Sequence, residues 1–494
     1  MSASSYYILQ RFLTLLYRFR WVFCQLDTLR HCFPPNLRQL LNELPETLDE
    51  TYEQMLRGIN KAQKDNAHRL LQCLAVAVRP LRVEELAELL AFDFQAPGSG
   101  GIPTLKEDWR WDDEEGAVLS TCSSLITVVP SGRFRMVQFS HFSVKEYLTS
   151  PRLARSQGDV SRFYIDLEVA HTIMAQACLG ILLQLGENTD DGSRKGFPLV
   201  GYAAQHWVEH ARSEAVASRV KDGMDDLFDN SKPHFVAWFS VHSYRLDERW
   251  SYFHTSRPNN GSPLYYAALC GFYDLAERLI ARQPEQVNAI SGYMMAPLLA
   301  ALYRRHFRIA NLLHRHGAVV DIRGEYGRTP LYSASIEGLV DIMRWLLNHG
   351  ADPNVPRSDY RTPLQSAAVN MNLEVVQLLL DHNVYVNSRD DAGETPLSDT
   401  IYTRRSSQEK GAVDVVQRLL EHGADPNAGA RSHSTPLHIA SSRGWLEVVR
   451  LLHKYGAKVD EKDKEGKIPF QIALEKGYHE IAKLLSEHVD VSQV

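Results

Sequence analysis

Seven prolines recur through the second half of the chain at nearly constant spacing: Pro263, Pro297, Pro330, Pro363, Pro396, Pro436 and Pro469, separated by 34, 33, 33, 33, 40 and 33 residues. A fixed period near 33 constrains the fold more than any composition could. A unit of that length cannot bury its own apolar face, so copies must stack into a quasi-one-dimensional array. Within a unit the local signals are helical. Thr before Pro opens a helix, because the hydroxyl caps free N–H groups and Pro at the first helical position gives up no bond. A glycine about eight residues on (Gly271, Gly338, Gly444, Gly477) ends this short helix in the left-handed conformation. Apolar residues then resume at helical spacing, as in Leu339, Ile342, Met343, Leu346 and Leu347. A second glycine (Gly317, Gly350, Gly423, Gly456) and a polar turn such as Ala351-Asp352-Pro353-Asn354 follow.

Each proline sits in a degenerate copy of T-P-L-H-x-A. Thr435, Pro436, Leu437, His438 and Ala440 give the full form. Thr329, Pro330, Leu331 and Ala334, and Thr362, Pro363, Leu364 and Ala367, lack only the histidine. At this period the motif resembles the ankyrin repeat over residues 255–490, which implies about seven helix pairs in a solenoid. Asn372 and Asn383 stand where helix-ending glycines are expected, and asparagine enters the left-handed region readily. The second repeat has Ala296 for Thr and Phe307 near the usual glycine; the fifth has Thr400 for Ala and seven extra residues near Thr403–Lys410. That insertion is expected to lengthen the connection between its two helices. Its Arg404-Arg405-Ser406-Ser407 stretch reads either as a solvated loop or as a phosphorylation switch. Glu480, Lys483, Ser486 and Glu487 make the last copy polar enough to cap the array.

In the ankyrin family the turns reach out as fingers and line the concave side with the first helices. Tyr293, Tyr326 and Tyr360 fall in three consecutive turns, 33 and 34 residues apart, and are expected to align as a ridge. Tyr303, Arg304 and Arg305 lie late in a neighbouring first helix. Tyr and Arg are favoured interface anchors, so these six form the candidate partner-binding set. The alternative is that the tyrosines pack on neighbouring turns.

Composition narrows the class of function. A net charge of −6 with no long single-sign block disfavours general nucleic-acid or anionic-membrane binding. Six scattered cysteines, without zinc spacing, suit a reducing compartment. Residues 6–23 are apolar and aromatic but interrupted by Arg11, Arg18 and Arg20. They match neither a secretory signal nor a spanning helix, and read as an amphipathic or buried segment ahead of a transit peptide or a membrane anchor. Left uncovered, that segment is expected to make an isolated 1–250 fragment aggregate.

In the first half, Leu48, Tyr52, Met55, Leu56 and Ile59 share one side of a helix, and residues 66–94 read as two helices broken at Arg79-Pro80. A Gly/Pro-rich linker (Ala96–Pro103), Trp109, Trp111 and the acidic run Asp112–Glu115 follow. Leu125–Val129 and Phe134–Phe139 flank a turn signal at Pro130-Ser131-Gly132. Helix, helix, helix, hairpin is the order of a winged helix. Its third helix, placed near Ala117–Ser123, is led by four acids that would repel phosphates, which speaks against DNA.

The phrases RWVFCQLDTLRHC, LPETLDETYEQML, RPLRVEELAELLA, QFSHFSVKEYLTS and PLVGYAAQHWVEHAR, between residues 19 and 215, resemble the region after the nucleotide-binding core of fungal NACHT proteins. Those are signalling ATPases of the STAND class, and many end in ankyrin repeats. No G-x-x-x-x-G-K-[ST] loop occurs in the chain, so no nucleotide-binding residue is carried over. The resemblance implies a helical remnant at 1–60, a winged helix at 61–155, a helical linker at 156–254 and repeats at 255–490, with the winged helix packing against protein. It leaves open a truncated gene, a natural fragment or a short paralogue.

Two patterns invite a catalytic reading. His206-Trp207-Val208-Glu209-His210 matches H-x-x-E-H, an inverted zinc-protease helix, but no third ligand beyond the arbitrary Glu248 can be placed. His141 and Cys122 suggest a thiol catalyst without any orienting partner. Structural histidines and a core cysteine are the plainer account. The expectation is therefore a mainly α protein, a winged-helix and helical-linker region followed by an ankyrin solenoid. It would serve as a cytoplasmic adaptor, with the nucleus as the alternative location, using no catalytic residue, metal or cofactor. It would bind a protein ligand on its concave face and fingers, with no nucleic acid and no stable membrane insertion. The alternatives are a sensor or relay part of a NACHT-type ATPase and, more distantly, a zinc hydrolase.

Overall fold

The computed structural model describes residues 47–95, 101–122, 124–186, 196–243, 262–290, 296–324, 327–402, 409–429 and 434–488. The Tyr6–Phe23 segment, the Ser406-Ser407 loop, Glu248, Tyr293 and Tyr326 lie outside these residues. The chain divides into two compact units, residues 1–263 and 264–494.

The first unit opens with α1 (Leu48–Arg57), where Thr47 and Glu50 cap each other's backbone N–H at 3.2 and 3.3 Å. The Tyr52 hydroxyl then reaches Ser143 at 2.7 Å, tying α1 to α5 (Phe142–Leu148). Helix α2 (Lys64–Val76) breaks at Arg79-Pro80 and resumes as α3 (Val83–Leu90). Arg79 holds the buried Glu85 through two bonds of 2.8 and 2.6 Å, and Glu85 accepts the Arg82 N–H at 2.9 Å. Helix α4 spans Glu114–Cys122 and so begins three residues ahead of the expected Ala117. Asp113 accepts the Gly116 N–H at 2.9 Å, and Glu114 and Glu115 sit at the positive end of the helix, where negative charge is stabilising.

The hairpin pairs β4 (Ile126–Ser131) with β5 (Phe134–Phe139). Ser131 and Phe134 still face each other, so the turn is Gly132-Arg133, with Gly132 at φ 59°, one step past the expected Pro130-Ser131-Gly132. Pro130 belongs to the strand. It is tolerated because β4 is an edge of the order β1-β5-β4, where a missing N–H costs nothing. The third strand, β1 (Leu81–Arg82), is two residues long and pairs antiparallel with β5. A separate pair, β2 (Phe92–Asp93) with β3 (Thr104–Leu105), brackets the linker. Helices α6 (Leu167–Leu182), α7 (Val200–His210) and α8 (His234–Ser243) follow, with two shorter helices, Glu214–Arg219 and Lys221–Leu227, between the last two. Trp207, Phe228, Phe235 and Trp238 form one aromatic cluster with ring centroids 5.5–6.2 Å apart, and the Trp238 indole donates to the Ala204 carbonyl at 3.1 Å.

The second unit is a stack of seven helix pairs. The first helices are Pro263–Cys270, Pro297–Tyr303, Pro330–Glu337, Pro363–Val369, Pro396–Tyr402, Pro436–Arg443 and Pro469–Glu475. The second helices are Tyr273–Arg282, Phe307–Arg315, Val340–Asn348, Leu373–Leu380, Glu409–Glu421, Leu446–Lys454 and His479–Ser486. In the fifth repeat Glu409 and Lys410 are already helical, so part of the insertion extends the second helix to 13 residues.

The motif side chains bond in two directions. Thr435 N–H donates to His438 Nδ1 at 3.1 Å, and His438 Nε2 reaches the Lys467 carbonyl of the next repeat at 3.1 Å. Gln365 repeats this chemistry: Oε1 accepts the Thr362 N–H at 2.9 Å and Nε2 donates to the Glu394 carbonyl at 2.8 Å. The repeat that lacked the histidine therefore keeps both bonds.

The left-handed positions need correcting. Gly271, Gly338, Gly444 and Gly477 all have positive φ, eight residues after their prolines. The equivalents are Met371 (φ 54°) and Arg305 (φ 60°), not Asn372 and Phe307. Asn372 instead caps the following helix, accepting the Val375 N–H at 3.3 Å, and Phe307 begins one. Asn383 does adopt φ 55°, in line with Gly317, Gly350, Gly423 and Gly456.

A ladder of side-chain amides joins successive turns. Asn288, Asn354, Asn387 and Asn427 accept the N–H of Val319, Tyr385, Asp425 and Lys458 at 2.7–2.8 Å. Each also donates its amide to a carbonyl of the next repeat, those of Gly317, Asn383, Gly423 and Gly456, at 2.9–3.3 Å. Asp321 occupies the same rung. Its Oδ2 accepts the Asp352 N–H at 3.0 Å, but Oδ1 is buried without a partner among the described residues, and burial raises its pKa. We expect Asp321→Asn to stabilise the array by about 1 kcal/mol, the net worth of one hydrogen bond. The sign follows from the raised carboxyl. Its proton supports the fold at acid pH and is lost as pH rises, so the gain should grow with pH in denaturant titrations.

Candidate functional site

Four of the six candidate recognition residues are described. Tyr303 closes the first helix of repeat two. It is half-buried, its hydroxyl stands 3.4 Å from Glu337 of the next first helix, and burial with that carboxylate raises its pKa. Arg304 is exposed. Arg305 turns through the left-handed region and pairs with Asp341 of the next repeat at 2.9 Å. These three thus form a seam between repeats two and three in which two of them contact the neighbouring repeat.

Tyr360 is different. It projects from the turn before repeat four, 63% exposed, with φ 57°. Counted from the next proline, its place is that of Gly327, Gly393 and Gly466, all at positive φ, whereas Tyr293 and Tyr326 lie one residue further from theirs. The expected ridge of three equivalent tyrosines is therefore out of register at Tyr360. A bulky residue in the left-handed region costs roughly 1–2 kcal/mol that glycine would not. Arg357 and Asp359, which pair with each other, and the Arg357 N–H bond to the Arg361 carbonyl at 2.9 Å hold this turn closed.

Tyr385 and Tyr402, 70% and 59% exposed, were not among the candidates. Tyr385 sits 22 residues after its proline, level with Val319 and Asp352, so counting from the prolines would have marked it.

Of the two catalytic patterns, His210 and Cys122 lie in the interior. His210 is buried, and both ring nitrogens are engaged: Nε2 with the Tyr202 hydroxyl at 2.8 Å and Nδ1 with His171 Nδ1 at 3.0 Å. Because Tyr202 accepts the Val78 N–H at 3.1 Å, its own proton points to His210. Burial pushes the His210 pKa down to about 3, so the ring is neutral. Glu209 faces outward, and no group of three or more His, Cys, Asp or Glu among the described residues could hold a metal. The Cys122 thiol is buried and pushed up to about 12, which leaves it protonated, and His141 caps α5 by accepting the Ser143 N–H at 3.2 Å.

One buried carboxylate does join parts of the first unit. Glu88 of α3 accepts the Leu199 N–H at the start of α7 at 2.7 Å and pairs with Arg110, whose guanidinium also lies 5.2 Å from the Phe197 ring. Burial pushes Glu88 up to about 7 against the pull of both donors. The winged helix is thereby bonded to the helical region behind it.

Residues 264–357, 355–430 and 405–494 match the ankyrin-repeat family in three overlapping copies. Residues 52–161 match the winged helix domain of GPI inositol-deacylase. A protein of Monascus ruber described as azaphilone pigments biosynthesis cluster protein L is 33% identical over 303 residues, 57% of this chain and 61% of that protein. The match thus spans about three-fifths of its length. The ankyrin array and the winged helix are established on this footing, and no helix among the described residues is long and apolar enough to cross a membrane.

Glu88 ionises near pH 7 in the folded chain and near 4.5 in its ordinary state. The folded state holds the extra proton between those values, so this group's contribution is full at acid pH and lost as pH rises through 7. Wild-type stability should fall by on the order of 2 kcal/mol across that window. Glu88→Gln, which keeps an acceptor for Leu199, should flatten the slope when urea midpoints are compared from pH 5 to 8.

Proposed function

We propose that the chain is a protein-recognition adaptor that binds a partner through the fingers and first helices around repeats two to four, and itself catalyses no reaction. The observation that supports this most is Tyr360. An aromatic side chain is kept in a backbone conformation that glycine fills in neighbouring turns, and its ring is left in solvent. Backbone strain of this kind clusters at ligand-binding sites. Tyr293, Tyr303, Arg304, Arg305 and Tyr326 supply further anchors of the favoured types. The proposed location is the cytoplasm, in keeping with the buried reduced thiols of Cys73, Cys122 and Cys178.

A second reading makes the chain the sensing and relay portion of a NACHT-type signalling ATPase. The winged-helix match and the Glu88 joint behind it favour this, since a relay needs a defined contact between the domain that moves and the region that follows.

The test replaces Tyr360 by glycine in the full chain. Relief of the left-handed strain, less the extra chain entropy of glycine, should leave stability unchanged or raise it by up to about 1 kcal/mol. Partner affinity should fall about tenfold or more, as for loss of an interface anchor. A photo-crosslinking side chain at position 360 should capture that partner, and the same group at Arg344, exposed on a second helix, should not. Undiminished affinity in Tyr360→Gly, or equal capture at both positions, would overturn the proposal.

A further inference from the structure

The first helices of repeats five, six and seven enclose a cavity of about 260 Å³, walled by Tyr402, Arg443, Glu394, Ser442, His438 and Ile472. Arg443 is half-buried there. One of its N–H groups donates to the Tyr402 carbonyl at 2.8 Å, and its guanidinium lies 5.4 Å from the Trp445 ring. Its Nη1 group is buried and has no acceptor among the described residues. Among the described residues no carboxylate pairs with it, and burial lowers its pKa. Arg361 shows the contrast, because its guanidinium meets Asp390 and Asp399, each at 3.2 Å. A half-buried guanidinium without a counter-charge gains from an incoming oxyanion, which supplies the charge-assisted bond that its buried Nη1 lacks.

The other walls narrow the choice of anion. His438 is committed to Thr435 and Lys467, so it does not compete for the guest. The Glu394 carboxylate, held by the Ser398 hydroxyl at 2.8 Å, keeps a negative charge on one wall. That charge tolerates a single carboxylate on the arginine side better than a dianionic phosphate. The volume is below that of most small-molecule sites and suits one side chain. Tyr402, 59% exposed, offers an aromatic wall for its methylene stem.

We propose that this cavity receives an aspartate or glutamate side chain of a protein partner, with the carboxylate seated on Arg443. The proposal rests on the array being a protein-recognition surface, and adds a second, charge-reading contact some repeats away from Tyr360.

The experiment presents the full chain with matched sets of arrayed peptides, C-terminally amidated and differing only in a central Glu, Gln, phosphoserine or Lys. Among captured peptides, the Glu form should bind about tenfold or more tightly than its Gln twin, the scale of a charge-assisted bond. Phosphoserine should fall below Glu. Arg443→Gln should bring the Glu-to-Gln ratio to about one, and Arg443→Lys should leave it intermediate, with melting curves showing both variants folded. Tyr360→Gly should lower capture overall without changing the ratio. Wild-type capture with no preference for Glu, or the same preference in Arg443→Gln, would overturn this proposal alone. Capture of no peptide at any centre would overturn it together with the recognition reading beneath it.

Discussion

The second unit depends on one interaction made over and over: a side-chain amide at the turn that accepts an N–H from the next repeat and returns its own N–H to a carbonyl there. Asn288, Asn354, Asn387 and Asn427 each make both bonds. Apolar stacking alone is non-directional and would let adjacent helix pairs slide or rotate. The paired amide bonds fix the step from one repeat to the next, and so fix which residue of each finger faces solvent. Tyr385 is presented by that step directly, through its own N–H bond to Asn354, and Tyr360 by the turn that Arg357 and Asp359 hold closed.

Much of this was legible in the sequence. The proline period located every first helix, and the prolines, four of them after Thr, located their starts, because both signals act within one turn of chain. What was misread came from looking for glycine-like residues in place of counting from the prolines. Asn372 looked like the left-handed residue on propensity, yet Met371 takes it, as does Arg305 in the second repeat. The stacking of whole helix pairs outweighs a local cost of roughly 1–2 kcal/mol at one residue.

Other features were illegible for physical reasons. Strand β1 is two residues long and exists only because β5 lies beside it. The bond between Glu88 and the Leu199 N–H links residues 111 apart, and nothing local in VEELAELLA marks Glu88 as the glutamate that makes it. The candidate surface was read by residue type, which found the seam at Tyr303 and Arg305 but could not show that both lean on the neighbouring repeat. The Arg443 cavity went unseen because its character lies in what the arginine lacks.

Asp321 gives the array an uneven elasticity. Where the other rungs hold adjacent repeats by two bonds, this one holds by a single bond beside a buried, unpartnered oxygen. A stack of otherwise similar springs stretches most at its softest member. When a partner pulls on the fingers or bends the solenoid, deformation therefore concentrates at the joint between repeats two and three, beside the Arg305–Asp341 pair. The seam that carries the candidate residues Tyr303, Arg304 and Arg305 is also where the array yields.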